Sequence, residues 1–150
     1  MRAAMMGALV LSVGWGSAQA MQLDIDRPTL CAHATAAIIG EVTTRQSQWS
    51  QGSLGGIETV FDVSVERVVF GAAPGDLSVV VPGGQIGDIH LNVEDAAPLQ
   101  VDQRYLLLVK VADDGRRYIV FGGEQGATLL PHQPQLEAEA IASLGSCDAP

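Results

Sequence analysis

Between Ile57 and Glu66 the chain alternates without a break. Ile57, Thr59, Phe61, Val63 and Val65 fall on one side, and Glu58, Val60, Asp62, Ser64 and Glu66 on the other. A period of two sends successive side chains to opposite faces of a pleated strand, a spacing that fits no helix. The pattern predicts a long strand with one buried face, its carboxylates Glu58, Asp62 and Glu66 turned to water. Beyond Arg67, Val68 and Phe70 stay on the apolar side only if the phase slips near Glu66-Arg67, which a β-bulge accomplishes.

Strand signals dominate the remainder. Ala36–Thr44 is apolar and β-branched, Leu77–Val81 is a short apolar run stopped by Pro82-Gly83-Gly84, and Ile89, Leu91 and Val93 alternate. Tyr105–Val111 is almost continuously hydrophobic, the mark of a strand covered on both faces. Asp113-Asp114-Gly115-Arg116 then reads as a hairpin turn into Tyr118–Phe121. Helix signals lie only at the edges. Arg27–His33 follows Asp26 and carries Pro28 in its first turn, while Pro134–Leu144 places Leu136, Ala140, Ile141 and Leu144 on one stripe, with Gly145 as its stop. The expectation is a mainly β fold: a small closed or partly open OB-like barrel of five to seven strands. A short N-terminal helix and a C-terminal helix over 134–145 lie at one end. A bulge and in-strand glycines are what curling so small a sheet requires.

The first twenty residues carry one positive charge, Arg2, an apolar run from Ala3 to Val13, and Ala18-Gln19-Ala20. That three-part pattern predicts a signal peptide over residues 1–20, with a run too short to span a bilayer. Residues 21–150 are then one exported domain, periplasmic or extracellular, with no membrane span in the mature form. Losing Arg2 takes the net charge from −9 to −10. So acidic a chain lacks the basic surface that phosphate neutralisation needs, which excludes nucleic acid as a partner. Cys31 and Cys147 are its two cysteines. An even count in an oxidising compartment predicts a disulfide between them, tying the two helices together across one end of the β-structure.

The order of Ala-Ile-Ile-Gly-Glu-Val (37–42), Val-Val-Val-Pro-Gly-Gly-Gln-Ile-Gly (79–87), Tyr-Leu-Leu-Leu (105–108) and Tyr-Ile-Val-Phe-Gly-Gly-Glu-Gln-Gly (118–126) resembles a family of small exported bacterial β-proteins. Its shared features are a Pro-Gly-Gly loop, a Tyr-Leu-Leu strand and a Gly-Gly-x-x-Gly ending, and it brings no established activity. The chain also resembles, in architecture, the netrin-like domains and tissue inhibitors of metalloproteinases. Those inhibitors chelate the protease zinc through an N-terminal cysteine. Here Cys31 lies eleven residues past the expected cleavage point, so that resemblance implies architecture and not chelation.

Candidate binding residues follow from these loops. Gly83, Gly84 and Gln85 offer backbone N–H groups of the kind that approach a ligand closely, as do Glu124 and Gln125 beside Gly122-Gly123. A turn explains the glycines better, since the phosphate motifs need a lysine or a following helix and neither is present. Trp49, flanked by Gln46, Ser47, Gln48, Ser50 and Gln51, suits carbohydrate stacking or a protein contact, or packs on the barrel end. His33, His90 and His132 are far apart in sequence, and no Gly-x-Ser-x-Gly elbow exposes a nucleophile. Neither Asp24-Ile25-Asp26 nor Asp113-Asp114-Gly115 supplies the six or more oxygens that calcium takes. The expectation is therefore a non-enzymatic binding domain without metal or cofactor. Its loops at the barrel rim would engage an extracellular or envelope protein or polymer, an inhibitor being one version. The alternative is an envelope hydrolase built on His90 with Ser64 or Ser78, or on His132.

Overall fold

The computed structural model describes residues 27–51 and 55–144. A short helix, α1 (Arg27–His33), leads into β1 (Ala36–Trp49), β2 (Ile57–Gly71) and β3 (Asp76–Pro82). A small hairpin of β4 (Gly84–Ile86) and β5 (Ile89–Leu91) follows, then β6 (Arg104–Val111) and β7 (Tyr118–Val120). A 3₁₀ turn at Gly123–Gly126, β8 (Ala127–Leu129) and α2 (Pro134–Ala142) complete the fold.

Five strands form the wall in the order β1-β2-β3-β7-β6, and β1 closes the ring by pairing with β6. β3 and β7 run parallel, and every other wall pair is antiparallel. The result is a closed, mixed five-stranded barrel with the OB-like arrangement that the strand order predicts. β8 shares with β7 the edge of β6 that is turned away from β1.

Closing so small a ring requires sharp bends, and bulges supply them. Ile39 pairs with Arg67 and Gly40 with Val65, so Glu66 is an extra residue in β2, where the phase slip was expected. Val69 is a second extra residue, because Ala37 pairs with Phe70 and Ile38 with Val68. The second bulge changes which side chains point inward: Val68 is exposed, and Val69 and Phe70 pack on the outer face of the wall.

Two apolar clusters lie on either side of β1 and β6. Ala36, Ile38, Val42, Tyr105, Leu107 and Val109 fill the barrel with Phe61, Val63, Leu77, Val79 and Val81. Ala37, Ile39, Leu106 and Leu108 alternate with them and face outward, covered by Leu30, Cys31, Leu130 and Leu144. Hydrophobic cover on both faces is the physical reason these two strands lack polar alternation. The irregular stretch 92–103 sends Ala97 and Leu99 into the barrel. There the Tyr105 hydroxyl accepts from the Gln100 N–H at 2.9 Å and donates to the Pro98 carbonyl at 3.4 Å.

The C-terminal helix sits lightly on this wall. Ala140 and Ile141 pack against the outer cluster, but Leu136, expected on the same stripe, is 39% exposed. Residues 1–26, which hold the expected signal peptide, and Cys147 with Gly145 lie outside the described residues. No described helix is long and apolar enough to cross a membrane.

Candidate functional site

The β6–β7 hairpin is shaped by one side chain. Asp114 accepts from the Arg116 and Arg117 N–H groups at 2.8 and 2.9 Å, an Asx-type turn that mimics a backbone bend. Its second oxygen takes the Arg117 Nε at 2.5 Å, aiming the guanidinium back across the barrel surface. Arg117 Nη1 reaches Glu58 Oε1 at 2.8 Å, and Gln48 Nε2 donates to the same oxygen at 2.8 Å. Gln48 and Glu58 face one another in the β1–β2 ladder, so the hairpin is bolted to the far side of the sheet.

A cleft of about 910 Å3 opens around this bolt. Its walls are Ser50 and Gln51 from the β1–β2 connection and Ala112, Asp113, Asp114, Arg116 and Arg117 from the hairpin, and Val80 and Ile119 form its apolar floor. The two floor residues are partners in the parallel β3–β7 pair. The cleft therefore lies over the outer face of β2 and β3, between the first and last connections of the five-stranded wall.

Glu58 departs from its expected solvation: it is 8% exposed. Strand alternation does turn it outward, but the hairpin then covers it. Burial alone would raise its pKa, yet the hydrogen bonds from Gln48 and Arg117, with the guanidinium charge, outweigh that and leave the carboxyl below its ordinary value. Asp114 is held well below the carboxylate range by the Arg117 and Arg116 backbone N–H groups and the Arg117 side chain. Asp62 and Glu66 are exposed, as expected, though both are bonded: Asp62 accepts from Thr44 and Ser78, and Glu66 from Arg104.

The residues singled out in the sequence fall elsewhere. Trp49 ends β1, is 54% exposed, and alternates with Gln48, so it lies on the opposite side of the strand from the cleft. Gly83 and Gly84 make the turn out of β3, sewn down by Gly83 N–H to the Ile57 carbonyl (2.8 Å) and by Thr59 Oγ1 to the Gly83 carbonyl (2.7 Å). At Gly84, with φ +143°, a Cβ would strike the Thr59 and Ser47 hydroxyls, so chain packing by itself accounts for the glycine. Gln85 is exposed on β4, its N–H 3.4 Å from Ser47 Oγ. Glu124 and Gln125 sit in the 3₁₀ turn, where the Glu124 N–H bonds the Asp95 carbonyl at 2.9 Å. At Gly123, with φ +56°, an added Cβ would collide with that carbonyl.

Cys31 is buried under the outer cluster, and the test of its pairing with Cys147 falls beyond the described residues. The three histidines occupy separate elements: His33 in α1, 6.2 Å from the Phe121 ring, His90 on β5 opposite Gln85, and His132 before α2. Ser78 donates to Asp62 at 3.1 Å, and among the described residues no histidine joins them. Asp24 and Asp26 lie outside the described residues, and Asp114 spends its oxygens on the turn.

The residues that build the cleft were not legible as a group, because Gln48, Glu58, Asp114 and Arg117 come from two strands and a turn far apart in sequence. One local signal was available: an Asp-Asp-Gly-Arg-Arg turn brings two cations to a strand end beside an alternating acidic face. Neither the family models nor the curated proteins gave a match to this chain.

Proposed function

We propose that this protein is an exported, non-enzymatic binding domain that takes a segment of another macromolecule in the rim cleft. The observation that carries this reading is the position of the cleft. It lies over the β2–β3 face between the β1–β2 connection and the β6–β7 hairpin, the region through which OB-type barrels engage extended polymers. Its chemistry suits recognition: amide and hydroxyl groups from Gln48, Ser50 and Gln51, a fixed ion pair, and an apolar floor. The excess of carboxylates over cations speaks against a polyphosphate ligand.

The test is affinity capture from the envelope fraction and growth medium of the host, comparing the wild type with Ile119→Gln/Gln51→Ala. Both substituted residues are exposed and line the cleft. A partner retained by the wild type and lost from the variant supports the reading. No retained partner, or one held equally by both, would overturn it.

A further inference from the structure

The rim cleft does not end at its floor. Val80 and Ile119 also border a second hollow of about 380 Å3, lined by Val81, Pro82, Ala96, Ala97, Val120 and Gly123. This hollow opens where β3 and β7 part after only two residue pairs, Val79 with Tyr118 and Val80 with Ile119. The two depressions adjoin at Val80 and Ile119 on the parallel seam, a trough with a polar half on the hairpin side and an apolar half on the other. Both Gly-rich motifs border the apolar half, through Pro82 and Gly123.

Charge is distributed unevenly along the trough. Glu58, Asp113 and Asp114 line the polar half and Glu94 and Asp95 the apolar half, against two guanidinium groups, Arg116 and Arg117. Arg117 is neutralised by Glu58 and Asp114. Lys110, opposite Ile119 in the ladder, directs its ammonium to the Phe121 ring, 5.6 Å from the centroid. The carboxylates Asp113 and Glu94, one in each half, are exposed, and neither forms an ion pair among the described residues.

We infer that the trough docks an extended basic peptide segment, which rests on the rim cleft being the binding site. An extended chain places side chains i and i+2 on one face about 7 Å apart. Such a ligand sets apolar side chains along the Val80–Ile119 seam and lysine or arginine against Asp113 and Glu94. A seam that passes from polar to apolar within one trough matches the mixed side chains of a polypeptide, whereas a cationic polysaccharide repeats one polar unit throughout.

A randomised octapeptide library displayed on phage tests this against the wild-type protein. The expected outcome is enrichment of sequences combining two or more basic residues with an apolar one. A synthetic enriched peptide binds at least tenfold more weakly to Asp113→Lys/Glu94→Lys and weakens as salt is raised from 0.05 to about 0.3 M. The control Asp88→Lys/Glu139→Lys makes the same change in net charge on exposed residues outside the trough and keeps affinity within about threefold. Unchanged melting by circular dichroism separates lost binding from lost fold. No enrichment, enrichment of acidic sequences, or unchanged affinity in the trough variant each overturns the inference. So does equal competition by a chitosan hexamer. If capture through the cleft still recovers a partner in those cases, the binding-domain reading survives; if it recovers none, both fall.

Discussion

Glu58 shows how an alternating pattern can place a side chain correctly and still misjudge its surroundings. The period of two turns it outward, but it cannot report that a hairpin more than fifty residues later folds over it. Arg117 is what makes this tolerable, since a nearly buried carboxylate needs compensating donors. Arg117→Ala leaves Gln48 as the donor to Glu58, and the expected cost is about 1–3 kcal/mol in urea unfolding. Glu58→Gln in the Arg117→Ala background restores part of that loss by removing the charge. The pair also carries a pH signature. Because the folded pKa of Glu58 is depressed, the unfolded chain binds more protons in the window between the folded and unfolded values. Its stabilising contribution is complete above about pH 4.3. It is lost as pH falls through the lower, folded value. Unfolding at stepped pH should show Glu58→Gln losing less stability than wild type on acidification; parallel profiles would contradict this. Gly123 supplies a third test at the same scale. Gly123→Ala forces Cβ onto the Asp95 carbonyl, whereas Gly115→Ala, with φ +70° and open space, meets only backbone strain. The latter should cost about 1–2 kcal/mol. The former should cost more, with the excess read from denaturant midpoints.

Elements were legible wherever burial on one or both faces wrote a period into the chain. β2 showed it as alternation, β6 as an apolar run, and the bulge at Glu66 as a slip between two phases. The second bulge at Val69 left no such mark, because Val68, Val69 and Phe70 are all apolar and any register satisfies the pattern. Hairpin β4–β5 alternates as β2 does, yet all three β5 residues are exposed, since alternation reports strand geometry and not membership of the wall. Bulging has a consequence at this scale. Glu66, having no ladder partner, accepts from Arg104 Nε at 2.9 Å and Nη2 at 2.7 Å, and Arg104 Nη2 also reaches Glu137 at 3.4 Å. The arginine side chain is only 10% exposed, so this is a partly buried triad joining β2, β6 and α2. With so little of α2 buried, the triad supplies much of its attachment. Arg104→Ala should raise amide hydrogen exchange across 134–142 at least tenfold while leaving Leu106–Val109 protected. Equal protection of the helix in both proteins would show that Ala140, Ile141 and Leu144 hold it unaided.

At the scale of the molecule, strand order and closure follow from two apolar clusters sharing one pair of strands. β1 and β6 can bury both faces only if the ring closes between them on one side and helices cover the other. Legibility stopped where contacts come from distant segments, which is why the barrel could be read and the cleft could not. The outer cluster also bears on the cysteines. Cys31 is 7% exposed and shares that cluster with Leu144, three residues before Cys147. Three residues of chain span at most about 10 Å. A Cys31–Cys147 bridge would therefore close a loop around the whole barrel with little rearrangement of either end. On the chain-entropy account such a loop removes roughly 4–5 kcal/mol of freedom from the unfolded state. Non-reducing peptide mapping of the native protein should recover Cys31 and Cys147 in one linked fragment with no alkylatable thiol. Reduction, or Cys31→Ser/Cys147→Ser, should lower the melting temperature by about 10 °C or more while leaving the barrel's far-ultraviolet spectrum intact at 25 °C. Two thiols that alkylate freely in the native protein would show that the outer cluster, without sulfur, holds the two ends of the chain together.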